Sequence, residues 1–380
     1  MIFFVHLFNN YSGSPNVLHQ VITSCLEAGL PCRLLMGNRG GILDQLPVEP
    51  QVFGYRYFKN KFLTLGYYLC TQIRIFLQLV WNLHSNDVVY INTLLPFGAA
   101  LAAKLRGARV IYHIHETSVR PLLLKKFLRE IVEQCADQVL FVSQSLYECE
   151  KFKRPKKQRI VYNSCSREFE QSAHQLSPSF DKKEFTSLMI CSPKKYKGVG
   201  EFFKIAEKLS SKKEYHFLLL LGGAKEEISK FLLDQEVPAN VTICSCSQDV
   251  LSFYAKSDLV LNLSRPDEWI ETFGLTILEA MHCGLPVIVP ELGGPAELVR
   301  DGVDGFHISC YEIDKIVDTF LNKEAVDDFS VAVTYDEIKE KKYSLSAGQY
   351  FDVKIEYVEL SQDEFNARMS AYAEKLQEYF

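Results

Sequence analysis

The sequence predicts an α/β protein made of two doubly wound halves with a cleft between them, and three observations carry that prediction. Short apolar runs alternate with amphipathic stretches along residues 1–165. The polar segment "SREFEQSAHQLSPSFDKKEF" (166–185) interrupts this rhythm, which then restarts and continues to residue 310. A chain of 380 residues is also too long for one ordinary core and suits two domains.

In the first half, "IFFVHLF" reads as a strand, followed by a Gly/Ser/Pro loop and a helix over 15–28. The runs "CRLLM", "DVVYIN", "RVIYHIH" and "QVLFVS" are further strands. Unbroken apolar runs of this length mark parallel strands covered on both faces. The second half repeats the scheme with "TSLMIC", "HFLLLLGG", "VTIC", "DLVLNLS" and "PVIVP", separated by helices over 200–211, 225–235, 248–256 and 275–283. The last of these stops at Gly284 and Pro286, a normal end signal. The expected organisation is a first domain over 1–165, a linker over 166–184, a second domain over 185–310 and a tail over 311–380.

Composition narrows the class. At 47% hydrophobic and 23% charged residues the chain is globular and not disordered. Its eleven cysteines include no C-x-x-C pair, so neither a zinc frame nor a disulfide frame is expected. The N-terminal apolar stretch has no basic leader and suits a strand, which implies a cytoplasmic protein. The segment "FLTLGYYLCTQIRIFLQLVWNL" (62–83) is long enough to span a bilayer, but Gln72, Arg74 and Gln78 make insertion costly, so a packed or interfacial helix is predicted. Charge is unevenly divided: residues 1–165 carry 19 Lys and Arg against 10 Asp and Glu, whereas the remainder carries 23 against 37. A basic first half fits an anionic membrane, a phosphorylated acceptor or an ordinary solvated face.

The densest chemistry lies in "RPDEWIETFGLTILEAMHCGLPVIVPELGGPAELVRDGVDGF" (265–306). Gly274 precedes the predicted helix, whose unpaired N–H groups and positive dipole end attract phosphate. Glu271 lies before that helix and Glu279 about one turn inside it, so two carboxylates reach different parts of one extended ligand. Carboxylates accept hydrogen bonds from sugar hydroxyls. The E-x7-E spacing alone is weak, but the following buried strand and the glycine turn "GGPAE" (293–297) strengthen it.

The stretch from Glu271 to Phe306 resembles the donor-site signature of the retaining family 4 glycosyltransferases, and weaker likeness covers residues 1–310. That resemblance implies the GT-B fold, in which two Rossmann-like domains face each other across a cleft. It also implies that Glu271 contacts the donor sugar, that Glu279 binds the ribose hydroxyls, and that Phe273, Gly274, Leu275 and Thr276 cradle the diphosphate. "KYKG" (195–198) is similar to the family's Lys-Gly and makes Lys197 a diphosphate ligand. The family's preceding Gly-Arg is replaced by Cys191-Ser192, leaving Lys194 or Lys195 as substitutes for the second cation. In the first domain, Gly13 and Ser14 stand where the family has Gly-Gly near the cleft, and His115 in "YHIHE" resembles a family histidine facing the donor sugar.

The resemblance implies transfer of a hexose-type residue from a nucleotide-diphosphate sugar to a hydroxyl, with retention and without a cofactor or metal. A glycan or polyprenyl-linked acceptor in surface polysaccharide synthesis is expected, with peripheral contact at the inner face of the membrane. Rival readings are a GT-B epimerase or phosphorylase, or a non-catalytic assembly protein. The acidic second half argues against nucleic-acid contact. The tail, residues 334–380, resembles the C-terminus of the DNA-methylating subunit of type I restriction–modification systems but lacks its catalytic motif. Ser361 and Glu364 read there as a capping box that starts a terminal helix.

Overall fold

A computed structural model describes residues 1–155, 157–176, 184–245 and 249–321; the predicted capping box at Ser361 and the helix after it lie outside the described residues. Met1–Val317 form one compact unit and Asp318–Phe380 a second. The fold is α/β, with two parallel sheets inside the first unit.

The first sheet contains β1 (Ile2–His6), β2 (Cys32–Met36), β3 (Gln51–Val52), β4 (Val88–Asn92), β5 (Arg109–Ile114), β6 (Gln138–Phe141) and β7 (Lys157–Ile160), in the order β3-β2-β1-β4-β5-β6-β7. Between these strands run α1 (Gly13–Glu27), α2 (Lys61–Asn82), α3 (Phe97–Arg106), α4 (Leu122–Cys135) and α5 (Gln144–Glu150). Successive side chains of β1 serve opposite faces, as the strand period of two requires. Phe3 and Val5 join the core with Ile75, Leu79 and the α3 alanines, whereas Phe4 packs with Leu18, Ile22 and Met36.

The second sheet holds β8 (Phe185–Cys191), β9 (Tyr215–Leu221), β10 (Val241–Ser245), β11 (Leu259–Leu261), β12 (Val287–Val289) and β13 (Gly305–His307), in the order β10-β9-β8-β11-β12-β13. Its helices are α7 (Val199–Lys208), α8 (Lys225–Leu232), α9 (Leu251–Lys256), α10 (Leu275–His282), α11 (Gly294–Leu298) and α12 (Ile313–Leu321). The stretch expected to be a linker contains α6 (Arg167–His174), capped by Ser166 Oγ accepting from Phe169 N.

Each sheet reverses its winding once, between β1 and β4 in the first and between β8 and β11 in the second. Loops leaving adjacent strands diverge at such a reversal and open a crevice at the carboxyl ends. The β8 loop carries Lys197 and the β11 loop carries Glu271, so topology alone brings these two together.

Candidate active site

Lys197 closes a 3-10 turn, Lys195–Lys197, and Gly198 follows with φ of 81°. A Cβ at Gly198 would stand 2.0 Å from the Leu263 carbonyl oxygen, so only glycine lets the β8 and β11 loops approach this closely. Arg265 ties the same loops: its N–H donates to the Tyr196 carbonyl at 2.8 Å, and its guanidinium forks onto buried Glu201 at 2.8 and 3.2 Å. The Tyr196 and Trp269 rings stack with centroids 5.1 Å apart. Held this way, the Lys197 ammonium donates to Glu271 Oε2 as an ion pair, and Ser264 Oγ lies 3.4 Å from the same oxygen.

Lys194 does not share this position. Its ammonium pairs with Glu227 Oε1 at 2.7 Å. Lys195 is exposed and makes no ion pair among the described residues. The structure thus brings one lysine of the three, Lys197, to a predicted acid, Glu271.

Helix α10 begins at Gly274, whose φ of 98° turns the chain into its first turn. The Gly274 carbonyl accepts from Ile277 and Leu278 at 3.0 and 3.1 Å, whereas the N–H groups of Leu275 and Thr276 make no backbone hydrogen bond. These are the unpaired donors every helix start leaves, and they suit an anion. Phe273 departs from its predicted role. Its side chain is 3% exposed and packs into the first sheet's core, with Tyr162 at 6.3 Å between ring centroids. It staples the β11 loop to the first domain, so only its backbone is left to face a ligand.

Glu279 is half-buried, and burial raises its carboxyl from the ordinary value to about 7, against the opposing pull of Tyr254. The fully buried Tyr254 places its hydroxyl 2.8 Å from Glu279 Oε2 and 3.1 Å from the Thr276 carbonyl. Tyr254 therefore connects the acid to the first turn of the same helix. The sequence offers little sign of it, because an aromatic in "LSFYAK" reads as ordinary core.

The first domain supplies a second polar group at its own winding reversal. Asn92 ends β4, and its Nδ2 donates to the Ser14 carbonyl at 3.0 Å. A carbonyl only accepts, so the amide orientation is fixed and Oδ1 faces His115 Nε2 at 2.8 Å. Nε2 of His115 then carries the proton and Nδ1 remains an acceptor. Burial, with neighbouring His113 and His6, pushes the His115 imidazole well below its usual range and keeps it neutral. Thr93, next to Asn92, has φ of 79°, which marks local backbone strain. Ser14 and Gly13 form the first turn of α1, with a Cβ built on Gly13 lying 3.6 Å from Leu275 Cδ1.

Two contacts join the domains around these groups. Thr272 Oγ1 donates to the His115 carbonyl at 2.8 Å, and the Glu297 carboxylate of "GGPAE" accepts from Gln144 N at 2.8 Å and from Ser145 N. Among the described residues, no three His, Cys, Asp or Glu side chains converge as a metal site. The structure assembles Glu271, Lys197, Gly274, Leu275 and Thr276 in the second domain and His115, Gly13 and Ser14 opposite them.

Two parallel sheets in one unit, with a helix start and a lysine–glutamate pair at the winding reversal of the second, fit the GT-B class of fold. Comparison with known proteins agrees with that class. Residues 171–326 match the family model "Glycosyl transferases group 1". N-acetyl-alpha-D-glucosaminyl L-malate synthase of Bacillus anthracis is 29% identical over 240 residues, which is 58% of this chain and 60% of that protein. Sucrose synthase 1 of Hordeum vulgare is 56% identical over 52 residues, 14% of this chain and 6% of its own length. Among solved structures, HepE of Anabaena in complex with UDP and glucose superposes with a TM-score of 0.63 at 20% identity, covering 85% of this chain and 90% of that one. The solved structures share the GT-B fold, and the likeness to the glycosyltransferase family model lies in residues 171–326; the chain spans 60% of the length of the malate synthase and 6% of that of the sucrose synthase. A second, weaker match, to "N-6 DNA Methylase", covers residues 305–358, most of which lie outside the described residues.

Proposed function

We propose that this protein transfers a hexose-type residue from a nucleotide-diphosphate sugar to a hydroxyl of a glycan or polyprenyl-linked acceptor, with retention at the anomeric carbon. The observation that carries the reading is the convergence of Lys197, Glu271 and the unpaired N–H groups of Leu275 and Thr276 at one winding reversal. These donors suit a diphosphate whose charge grows as its bond to the sugar breaks, and preorganised donors are the largest rate term in such reactions. The UDP-glucose complex of HepE supports a nucleotide sugar as the class of donor.

In this reading Glu279 holds the ribose hydroxyls and Glu271 the donor sugar. His115, neutral and offering Nδ1 as an acceptor, faces the sugar from the first domain. Lys197 and the helix amides compensate the diphosphate, so turnover is expected to survive chelation of divalent ions. The expected location is the cytoplasmic face of the membrane, and the expected role is surface polysaccharide synthesis.

The test is a thermal-shift screen with uridine, guanosine and adenosine diphosphates and their sugars, because a ligand of the folded form raises its apparent stability. One base series should raise the melting temperature, and Lys197→Ala should abolish the rise. No shift with any series, or an unchanged shift in the variant, overturns the donor site. Product analysis with the binding donor then separates transfer from epimerisation, which needs no acceptor.

A further inference from the structure

The outer face of α2 has no partner within the described fold. Tyr68, Thr71, Gln72, Ile75 and Leu79 turn inward. Phe62, Leu69, Ile73, Leu77 and Trp81 fall at helical spacing on the opposite side, with Phe62 85%, Ile73 57% and Trp81 84% exposed. Exposed apolar residues in a contiguous stripe mark an interaction surface. The inward face keeps α2 in the fold: Gln72 Oε1 accepts from Gly98 N at 2.9 Å, and the Tyr68 hydroxyl donates to the Leu95 carbonyl at 2.6 Å. Leu95 follows β4, so the first turns of α2 sit at the carboxyl edge of the first sheet, the edge that carries His115. Leu122 and Leu123, 71% and 80% exposed, open α4, and Leu124 packs with Phe97 against Tyr68 in the same cluster.

Charge identifies the occupant. Residues 51–135, which span α2, α3 and α4, carry eleven Lys and Arg and four acids, Asp87, Glu116, Glu130 and Glu133. All four acids turn to protein donors: Asp87 to the N-terminal ammonium and His84 N, Glu116 to the Leu94 and His115 amides, Glu130 to Gln134 and Arg154, and Glu133 to the Lys153 and Arg154 amides. Arg56, Lys59, Lys61 and Arg74 are exposed along or beside the stripe. Two copies of so basic a face repel each other, and a polar, anionic polymer would leave the apolar stripe uncovered. An anionic bilayer satisfies both the stripe and its cations.

We propose that the outer face of α2, with the first turn of α4, lies in the headgroup region of an anionic bilayer and sets the first-domain edge of the cleft against the membrane. This depends on the proposed function only for what the membrane would deliver, since docking is measured without donor or acceptor.

The chain contains two tryptophans, Trp81 and Trp269. In a full-length Trp269→Phe background, Trp81 emission should shift to the blue on adding vesicles of phosphatidylcholine and phosphatidylglycerol, and the protein should float with them. Pure phosphatidylcholine or high salt should weaken both signals. Phe62→Ser with Ile73→Ser should reduce partitioning by about tenfold or more, and their exposure predicts an unchanged melting temperature. Leu233→Ser, at another exposed leucine far along the chain in α8's C-terminal neighbourhood, should leave partitioning as it was. Absence of flotation at low salt with an unshifted Trp81 overturns the proposal. So does a concentration-dependent Trp81 shift without lipid that tracks dimerisation in sedimentation, which would assign the stripe to a second copy.

Discussion

Replacing Tyr254 by Phe tests whether Glu279 is the ribose ligand and whether it is held in place for that task. The substitution removes one hydroxyl from a fully buried ring and leaves the ring in position. That hydroxyl has one proton and two acceptors within reach, Glu279 Oε2 at 2.8 Å and the Thr276 carbonyl at 3.1 Å. The shorter contact is to a carboxylate, and hydrogen bonds to charged groups contribute about 1.5–3 kcal/mol. If that energy orients the carboxylate for the ribose, its loss weakens nucleotide binding by about 10-fold to 100-fold, at about 1.4 kcal/mol per decade.

The assay is titration calorimetry with whichever nucleoside diphosphate raises the melting temperature, alongside its 2′,3′-dideoxyribose analogue. The wild type should lose affinity when the ribose hydroxyls are removed. In Tyr254→Phe that difference should shrink towards the small difference expected of Glu279→Gln. A structural role for the tyrosine would lower both affinities equally and keep their ratio. An unchanged ratio in Tyr254→Phe with a collapsed ratio in Glu279→Gln would refute the orienting role alone. An unchanged ratio in both would remove Glu279 from the ribose.

Other consequences follow from the same geometry. Burial raises the Glu279 carboxyl from 4.5 to about 7, so the fold disfavours its charged form, and its contribution to stability falls as pH rises between those values. Glu279→Gln should therefore be more stable than the wild type at pH 8, by up to about 3 kcal/mol at 1.36 kcal/mol per unit, with the gap closing towards pH 4.5 in denaturant titrations. Glu271→Gln should reduce turnover by roughly 100-fold or more if its contact is made mainly in the transition state, yet bind the nucleoside diphosphate as tightly or several-fold more tightly; unimpaired turnover would remove its role. Gly198→Ala forces a Cβ to 2.0 Å from the Leu263 carbonyl at φ of 81°, and strain of this kind costs about 1–3 kcal/mol or more, read as a lowered melting temperature; an unchanged melt would show that the two loops can separate freely.

The paired sheets could be read from the sequence because strands covered on both faces are apolar over most of their length. "CRLLM" is β2 residue for residue, and "TSLMIC" lies wholly within β8. Three of the four edge strands gave no such signal, "VTIC" of β10 being the exception. β3 has two residues, both exposed, and β7 arises from the basic run "KFKRPKKQR", where lysines suit a sheet edge because they oppose further pairing. β13, three residues long, borders β12 at the other edge. Helix α6 went unseen because its sequence is polar, and Phe169 finds its contact, the Tyr254 ring at 6.2 Å, only once the second domain is folded. Sequence position likewise placed Phe273 beside the donor, whereas its apolar ring takes the larger gain of burial in the first domain's core.

Asn92 and the pairing of Lys197 with Glu271 escaped for a different reason: their meaning is relational. Asn92 acquires a role from Ser14 and His115, 78 and 23 residues away, and Lys197 from Glu271, 74 residues away. Winding order makes such meetings obligatory, since strands flanking a reversal always send their loops to a shared crevice. The Lys197–Glu271 pair carries a further consequence. Each side chain is only about one-fifth exposed, so neither charge is easily left alone, and a diphosphate that binds the lysine competes with the carboxylate for its ammonium. A Glu271 drawn off the lysine keeps only the long contact from Ser264 Oγ at 3.4 Å, and hydroxyls of the attached sugar restore its compensation. A donor carrying both groups therefore compensates both charges, whereas a bare nucleoside diphosphate compensates one and strands the other. Selectivity for the intact donor can thus arise from the ion pair itself, which is why neutralising Glu271 should help the bare nucleotide while it harms the reaction.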